Sequence, residues 1–592
     1  MFLTLRVGEV FTRVKQIREE DPFDFRKFTY SKDELSHLFD DWVDHYATKY
    51  AICKSIAPLA ILEIGVRYGY SAKTFFAASP DISYTGIDNC SFVADGNPKA
   101  LAWAQENIGY EKATFITSDT GRLARLPGEF YDLIHVDGRR DGDGIFHDLE
   151  LAFQQSEWVL LDGPFRSEHS LMATSFFLRK YRQEITDVHM FTGFTGHLLF
   201  RTNRLISEKP SGYKELCHLY EKQYFTADCG DYQNFKLTKG RSLTDLRQQT
   251  LFSLINPRAG KRILDLGSGR GEFAYASCLA GAEVVAVDYS KAALEICQQH
   301  FSHSVGDNLK LVHEDITEFY DESGFDAIVA ADIIEHLEES ALEALLRNCA
   351  KMLKTEGYLF IHTFPNKLVH EKNHQQRRLG LMTNGGFLPE NPRNRYEDLL
   401  HINEQTSSAL QELLKRFFPH VLLWTADISD QLGTLVDCGK GELNGIYALA
   451  GQSQIDKESL QKTLSQETIT ASDCEHINLK IKDVPLEMAE NSSHQIPIEI
   501  SNESKLKVSS QQPTPVKCTY QWFFHGEVAV PYGIQSAIWP PILPGMKKTI
   551  FCKIFTPPAK GKFELLVTLI QQGQFFSELS PTCQMRIEID LV

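Results

Sequence analysis

What the 592-residue chain lacks bounds it first. It has no run of about 18 apolar residues, the length a helix needs to cross a bilayer, so no membrane span is expected. It has no Cys-x-x-Cys pair and no Cys/His cluster. The twelve cysteines are scattered singly, which argues against a structural zinc site or a disulfide scaffold and for buried thiols in a reducing cytosol. The opening MFLTLRVGEVFTRVK carries a short apolar patch but no proper apolar core and no small-residue cleavage site. No signal peptide is read, and a cytoplasmic protein is expected. Basic charge is short as well: 61 Lys+Arg stand against 78 Asp+Glu, a formal net charge of −17. Phosphate binding needs a positive surface, so a nucleic-acid partner is disfavoured. With 43% hydrophobic and 23% charged residues the chain is ordinary globular protein, too long for one core.

Apolar runs alternate with helical stretches from Pro58 to about Arg201: AILEIGV, SYTGID, ATFITSD, YDLIHVD, EWVLLDG and HLLFRTN. A second pass of the same order starts near Gly260 with KRILDLGSG, EVVAVD, LKLVHED, FDAIVAAD and GYLFIHTF, then VLLWTADIS and GIYALAG. Such alternation predicts a parallel sheet with helices on both faces. The expected plan is two α/β domains of Rossmann-like type, 1–205 and 206–450, each with a mostly parallel seven-stranded sheet. Residues 451–475 turn polar and are expected as a linker. From 476 to 592, short β-like runs separated by Pro and Gly predict an all-β, immunoglobulin-like sandwich.

The second copy carries the clearest chemistry. A buried-strand pattern, Arg262-Ile263-Leu264-Asp265-Leu266, runs into Gly267-Ser268-Gly269-Arg270-Gly271 and then a helix. Dinucleotide enzymes use Gly-x-Gly-x-x-Gly to seat a pyrophosphate, whereas this spacing is Gly-x-Gly-x-Gly. Asp265 would repel a pyrophosphate but can accept hydrogen bonds from a cationic amino-acid moiety. That disfavours an NAD-linked oxidoreductase and favours S-adenosylmethionine. Asp288, followed by Tyr289, ends the second strand, where a carboxylate can hold ribose hydroxyls. Asp315, followed by Ile316, ends the third, on the adenine side. Asp332 ends the fourth and leads through Ile333 and Ile334 to Glu335 and His336, beside the expected methyl donor.

Together ILDLGSGRGEF, AVDYS, HEDITEF, DIIEHL, HTFPN and HINEQT resemble the class I methyltransferases, in particular the group that includes ubiquinone-biosynthesis O-methyltransferases and bacterial glycan-cluster methyltransferases. The resemblance covers roughly Tyr220 to Gly451. It implies cofactor contacts at Asp265, Gly267, Gly269, Gly271, Asp288, Asp315 and Ile316, with Tyr289 and Asp332 beside them. It also implies that the upstream YFTADCGDYQNF closes over the site. If the acceptor is a hydroxyl, a neutral histidine suits proton removal near pH 7; His336 and His401 are the candidates, with Glu335 next to the first.

The first copy has a thinner turn, Leu62-Glu63-Ile64-Gly65-Val66-Arg67-Tyr68-Gly69. Glu63, Gly65 and Gly69 are its cofactor candidates, with Asp88 at the ribose position and Asp119 on the adenine side. YDLIHVDGRR and EWVLLDG resemble the small methyltransferase family whose fourth strand carries His-Ile-Asp-Gly-x-His. Some relatives bind Mg2+ through acids at the fourth and fifth strand ends, which are Asp137 and Asp162 here. Arg140 replaces the expected histidine and Gly163 a further acid, and one carboxylate fewer weakens a hard-cation site, so no metal is expected. This domain is read as a second methyltransferase or as a structural partner. In the tail, ILPGMKK and TPPAKGKFELLVTLIQQGQFF resemble β-sandwich modules of bacterial polysaccharide enzymes and transporters. Trp522, Trp539, Phe575 and Phe576 are then either core or a glycan-binding face. The expectation is an S-adenosylmethionine-dependent methyltransferase acting on a hydroxyl of a small molecule, sugar or glycan. The rival is a non-catalytic glycan-binding scaffold whose α/β domains are relics.

Overall fold

The computed structural model describes residues 7–90, 98–182, 184–202, 213–222, 224–230, 232–240, 243–391, 393, 395–426, 442–482 and 484–592. The N-terminal apolar patch at 1–6 and the end of VLLWTADIS lie outside the described residues. The chain forms two compact units: Met1–Pro210 with Glu371–Leu399, and Ser211–His370 with Leu400–Val592.

In the first unit the strands are β1 Ala60–Ile64, β2 Ser83–Asp88, β3 Ala113–Thr117, β4 Tyr131–Val136, β5 Ser156–Asp162, β6 Ile185–Phe191 and β7 His197–Thr202. Their order is β3-β2-β1-β4-β5-β7-β6. The first five pair in parallel, and β7 runs antiparallel to both β5 and β6. Near-continuous apolar runs such as Ala60–Ile64 and Tyr131–Val136 suit strands covered on both faces. Two hydrophobic cores duly line the two faces.

The domain expected over 206–450 loses residues 371–399 to this first unit. Phe387, 2% exposed, packs against Phe146 and Phe176. Gly142 makes the room, since a Cβ there would stand 2.2 Å from the Phe387 ring. Arg378 pairs with Asp143 in the same place. Local periodicity carries no information about which core such an excursion joins.

The second unit repeats the sheet with β8 Arg262–Leu266, β9 Glu283–Asp288, β10 Leu309–His313, β11 Phe325–Ala331, β12 Leu353–Thr363, β13 His420–Ala426 and β14 Gly445–Gly451. The order is again 3-2-1-4-5-7-6 within the copy, with β14 antiparallel to β12 and β13. The stretch 451–475, expected as a linker, holds the helices Lys457–Leu464 and Ala471–Cys474. Ile455, Leu460 and the buried Leu464 join a core of the sheet, so the segment is docked. Three apolar residues in a polar stretch suffice for that, and they are too few to show as periodicity.

The tail forms β15 Ile477–Ile481, β16 Glu487–Met488, β17 Ser493–Asn502, β18 Val516–Phe524, β19 Glu527–Val530, β20 Ser536–Ala537, β21 Met546–Phe555, β22 Gly561–Gln571, β23 Gln574–Phe575 and β24 Gln584–Leu591. One sheet has the order β15-β17-β21 and the other β16-β24-β22-β18-β19. Pairing is antiparallel except between β16 and β24. Side chains of both sheets share one core. Trp522, Phe575 and Phe576 are buried, and half-buried Trp539 lies 5.7 Å from Phe252, so these four aromatics are packing residues rather than an exposed face. No described helix is long and apolar enough to cross a membrane.

Truncating Phe387 leaves a cavity in a filled core. Phe387→Ala is expected to cost the first unit about 3–5 kcal/mol, read as a lowered midpoint in denaturant unfolding; an unchanged midpoint overturns the assignment of this segment.

Candidate active sites

In the second unit the chain leaves β8 through three glycines with positive φ, at 63°, 53° and 84° for Gly267, Gly269 and Gly271. A Cβ on Gly267 would lie 2.1 Å from Ile333 and one on Gly271 2.3 Å from the Cys297 sulfur, whereas at Gly269 the nearest atom is 3.9 Å away. Packing therefore demands the outer two glycines, and the middle one leaves its backbone open to approach. Asp288, at the end of β9, accepts from the Gly269 amide at 2.9 Å and the Ser290 amide at 2.7 Å. Burial raises its pKa to about 6.

Asp265 is 5% exposed, and its Oδ2 has no hydrogen-bond partner among the described residues. Burial, then the charges of Asp288 and Glu272, raise its pKa to about 8. A buried polar atom without a partner costs about 1–3 kcal/mol, so this oxygen is suited to a donor brought by a ligand.

The other candidates are already engaged. Asp315 accepts from the Thr317 amide and hydroxyl at 2.9 and 2.8 Å, and from the Tyr213 hydroxyl at 2.7 Å; Ile316 beside it is buried. Tyr289 meets the Tyr220 ring edge-on at 5.4 Å. Asp332, in left-handed backbone with φ 54°, is bonded by His362 Nδ1 at 2.6 Å and by Arg247 Nη1 at 2.8 Å. Burial would raise its pKa, but Arg247 and His362 hold it well below the usual carboxylate range. Arg270 donates to the carbonyls of Phe225 and Gly230 at 3.1 and 2.7 Å, which pins the upstream YFTADCGDYQNF segment to the glycine turn; Asp231 within it lies outside the described residues.

Glu335, His336 and His401 come together, with side-chain polar atoms all within 4.8 Å of one another. The rings of His336 and His401 are 4.9 Å apart. His336 Nδ1 lies 3.0 Å from the Leu400 carbonyl and 3.2 Å from the Tyr220 hydroxyl. A carbonyl only accepts, so Nδ1 carries the proton and Nε2 keeps its lone pair, a tautomer assigned from this bond. Burial, then His401, lower the His336 pKa to about 3, and the ring is neutral. Glu335, 1% exposed, accepts from the Thr363 hydroxyl at 2.8 Å, and burial followed by Asp332 raises it to about 8.

In the first unit Asp88 accepts from the amides of Val66 and Arg67, both at 2.9 Å, and of Cys90 at 2.7 Å. Asp88 and Gly65 line a cavity with Ser118, Thr120, Asp137 and Asp162. Three sequence candidates fall outside that lining. Glu63 is fully buried, with one oxygen 3.0 Å from His135 Nδ1 and the other bonded by the Tyr84 hydroxyl. Gly69 caps the helix Tyr70–Ala78, and a Cβ there would lie 2.5 Å from Ile108. Asp119 caps the turn Thr120–Arg122 through the Gly121 amide at 3.0 Å.

Asp162 and Asp137, the Mg2+ candidates, already face a cation of the chain itself. The ammonium of Lys49, a residue 1% exposed, lies 2.5 Å from Asp162 Oδ2 and 3.7 Å from Asp137 Oδ2, and donates to Ser71 Oγ at 3.0 Å. His45 Nε2 takes the same Asp162 oxygen at 2.8 Å. Burial works against both charges, yet Lys49 and His45 hold Asp162 well below the usual carboxylate range, while burial and Asp162 raise Asp137. Two like unit charges 4 Å apart repel by about 4 kcal/mol at an effective dielectric of 20. A divalent ion on Asp162 would meet twice that from Lys49. Sequence reasoning missed Lys49 and His45; their i,i+4 spacing on the helix Phe39–Ile56, which puts both on one face, is the signal that could have found them.

The doubled 3-2-1-4-5-7-6 sheet with a glycine turn after its first strand is a Rossmann-like methyltransferase fold. Residues 263–357 match the family model described as a methyltransferase domain. The ubiquinone biosynthesis O-methyltransferase of Alkalilimnicola ehrlichii is 30% identical over 125 residues, 20% of this chain and 49% of that protein. The one from Chromobacterium violaceum is 31% identical over 106 residues, 18% of this chain and 45% of that protein. The demethylmenaquinone methyltransferase of Clavibacter sepedonicus is 28% identical over 166 residues, 27% of this chain and 60% of that protein. The chain thus spans about half the length of the curated relatives it matches.

A carboxyl that holds its proton more tightly folded than unfolded costs stability as pH rises from its unfolded value toward its folded one. For Asp265 that window runs from 3.8 to about 8. Asp265→Asn is therefore expected to stabilise the ligand-free second unit increasingly across the window, by at least about 1 kcal/mol more near pH 8 than near pH 5. Urea unfolding at the two pH values checks it, and a pH-independent difference overturns it.

Proposed function

We propose that the second unit transfers a methyl group from S-adenosylmethionine to a hydroxyl of a small molecule, most suitably a sugar or glycan. The observation that carries this reading is the buried oxygen of Asp265, without a partner among the described residues, beside an open glycine turn. The methionine end of the donor brings a cationic amine, which is what that oxygen lacks. Asp288, under the Gly269 amide, would hold the ribose hydroxyls. Asp315, beside Ile316, would lie on the adenine side. The donor supplies an activated methyl group on a sulfonium centre. The protein's own part is to align the acceptor and remove its proton. Alignment can supply about 7–11 kcal/mol of the barrier, and a base adds about 10²–10⁴-fold. His336, neutral and with Nε2 unprotonated, is the base; His401 and Glu335 set its surroundings.

In the same reading the domains run 1–205, 206–450 without the 371–399 excursion, and 476–592. The last is an immunoglobulin-like sandwich, and the protein works in the cytoplasm. The free thiols among the described cysteines suit a reducing compartment.

Calorimetric titration of the full chain with S-adenosylmethionine tests the cofactor assignment. Asp288→Ala is expected to weaken binding to the second unit by about 10–100-fold, the range for losing charged hydrogen bonds. Absence of any binding to the wild type would favour the glycan scaffold instead. Once screening of sugars and phenols for S-adenosylhomocysteine release has given an acceptor, His336→Ala is expected to lower kcat by about 10²–10⁴-fold with cofactor affinity unchanged. Wild-type turnover in that variant removes His336 from the mechanism.

A further inference from the structure

The first unit holds a charge arrangement that the second-unit chemistry does not use. Its cavity runs from Asp88 past Asp137 to Asp162, and Lys49 lines it from the helix Phe39–Ile56. The Lys49 ammonium is held on three sides, by Asp162 at 2.5 Å, by Ser71 Oγ at 3.0 Å and by the Tyr46 ring at 4.8 Å from its centroid. Toward Asp137 it stands 3.7 Å away, beyond hydrogen-bond distance. A hydroxyl oxygen placed about 2.8 Å from each group spans that gap, accepting from Lys49 and donating to Asp137. Beneath, His45 and His197 stack at 3.9 Å, and His135 meets Glu63 at 3.0 Å and stands 3.8 Å from Asp162. These buried partners hold the Asp162–Lys49 pair in one geometry.

We propose that Lys49 is a built-in cation that takes the place of a divalent metal in the first unit, and that with Asp137 it grips the hydroxyl of an alcohol or phenol acceptor. This rests on reading the first unit as a second methyl-transfer centre. In that step the acceptor oxygen forms the new bond to the methyl carbon of a methyl sulfonium donor. The carbon–sulfur pair leaves with the sulfur as a neutral thioether, and the hydroxyl proton passes to Asp137. Lys49 keeps its charge throughout and stabilises negative charge developing on the oxygen. No metal enters.

Water-proton relaxation with Mn2+ on the full chain tests the built-in cation. The wild type is expected to show no Mn2+ site that Asp162→Asn removes. Lys49→Ala, which frees both carboxylates, is expected to gain one at least about tenfold tighter, as removal of an adjacent like charge requires. Adding Asp162→Asn should abolish it. A wild-type Mn2+ site at Asp137 and Asp162, or a folded Lys49→Ala protein that gains none, overturns the proposal. Where Lys49→Ala does not fold, wild-type crystals soaked in Mn2+ decide it, since anomalous density on Asp162 sinks it and none there upholds it. S-adenosylhomocysteine titration of the Asp288→Ala chain separates the two ideas. No residual binding removes the methyl-transfer reading of the first unit, and the Mn2+ result stands apart from it. Residual binding that Asp88→Ala abolishes upholds that reading.

Discussion

Each glycine turn is held by a carboxylate one strand away. Asp288 takes the Gly269 amide, and Asp88 takes those of Val66 and Arg67. Amides in such a turn lie ahead of a helix and have no partner within it. Tying them to an aspartate on the neighbouring strand fixes where the helix begins and the height at which the strand ends stand. In the second unit the helix Glu272–Leu279 starts on Gly271, packed against Cys297. The remaining site side chains are measured from that turn, because they sit on the ends of strands in register with it.

The two copies then meet a common problem, a carboxylate at the end of a central strand, with the same device. In each, a cation arrives from the helix before the first strand: Arg247, from Leu246–Ile255, reaches Asp332, and Lys49, from Phe39–Ile56, reaches Asp162. The choice of cation separates them. A guanidinium is a planar fork, and Arg247 spends it on Asp332 and Asp245 together. An ammonium is a compact charge with three donors, and Lys49 keeps one side toward the cavity-lining Asp137.

Much of this was legible because it is local. The strand runs, the turn glycines, Asp265, Asp288 and the Glu335–His336 pair all declare themselves within a few residues. What was hidden depends on partners far along the chain. Tyr213 occupies Asp315 from 102 residues away, Phe387 fills a core of the first unit, and His45 reaches Asp162 from 117 residues away, with Lys49 one helical turn further on. Glu63 and Asp265 show the limit most clearly. Both stand two residues before the first glycine of their turn, and both are buried. Yet Tyr84 and His135 satisfy Glu63, while Oδ2 of Asp265 has no such neighbour. A sequence shows the acid and not whether the adjoining strands bring it a donor.

That difference makes the two units unequal as binding sites. A carboxylate that already takes a tyrosine and a histidine gains little from a ligand's amine, because the new bond must replace an existing one. Asp265 gains a whole interaction, and loses a desolvation penalty, when a cation arrives. Among the described residues, the second unit therefore leaves Asp265 Oδ2 with an unmet demand beside its glycine turn. In the first unit Tyr84 and His135 meet the corresponding demand at Glu63, and the polar groups lining its cavity include Asp88 and the Lys49–Asp137 pair. One scaffold thus leaves a carboxylate oxygen unsatisfied at Asp265 in one copy and holds a lysine–aspartate gap at Lys49 and Asp137 in the other.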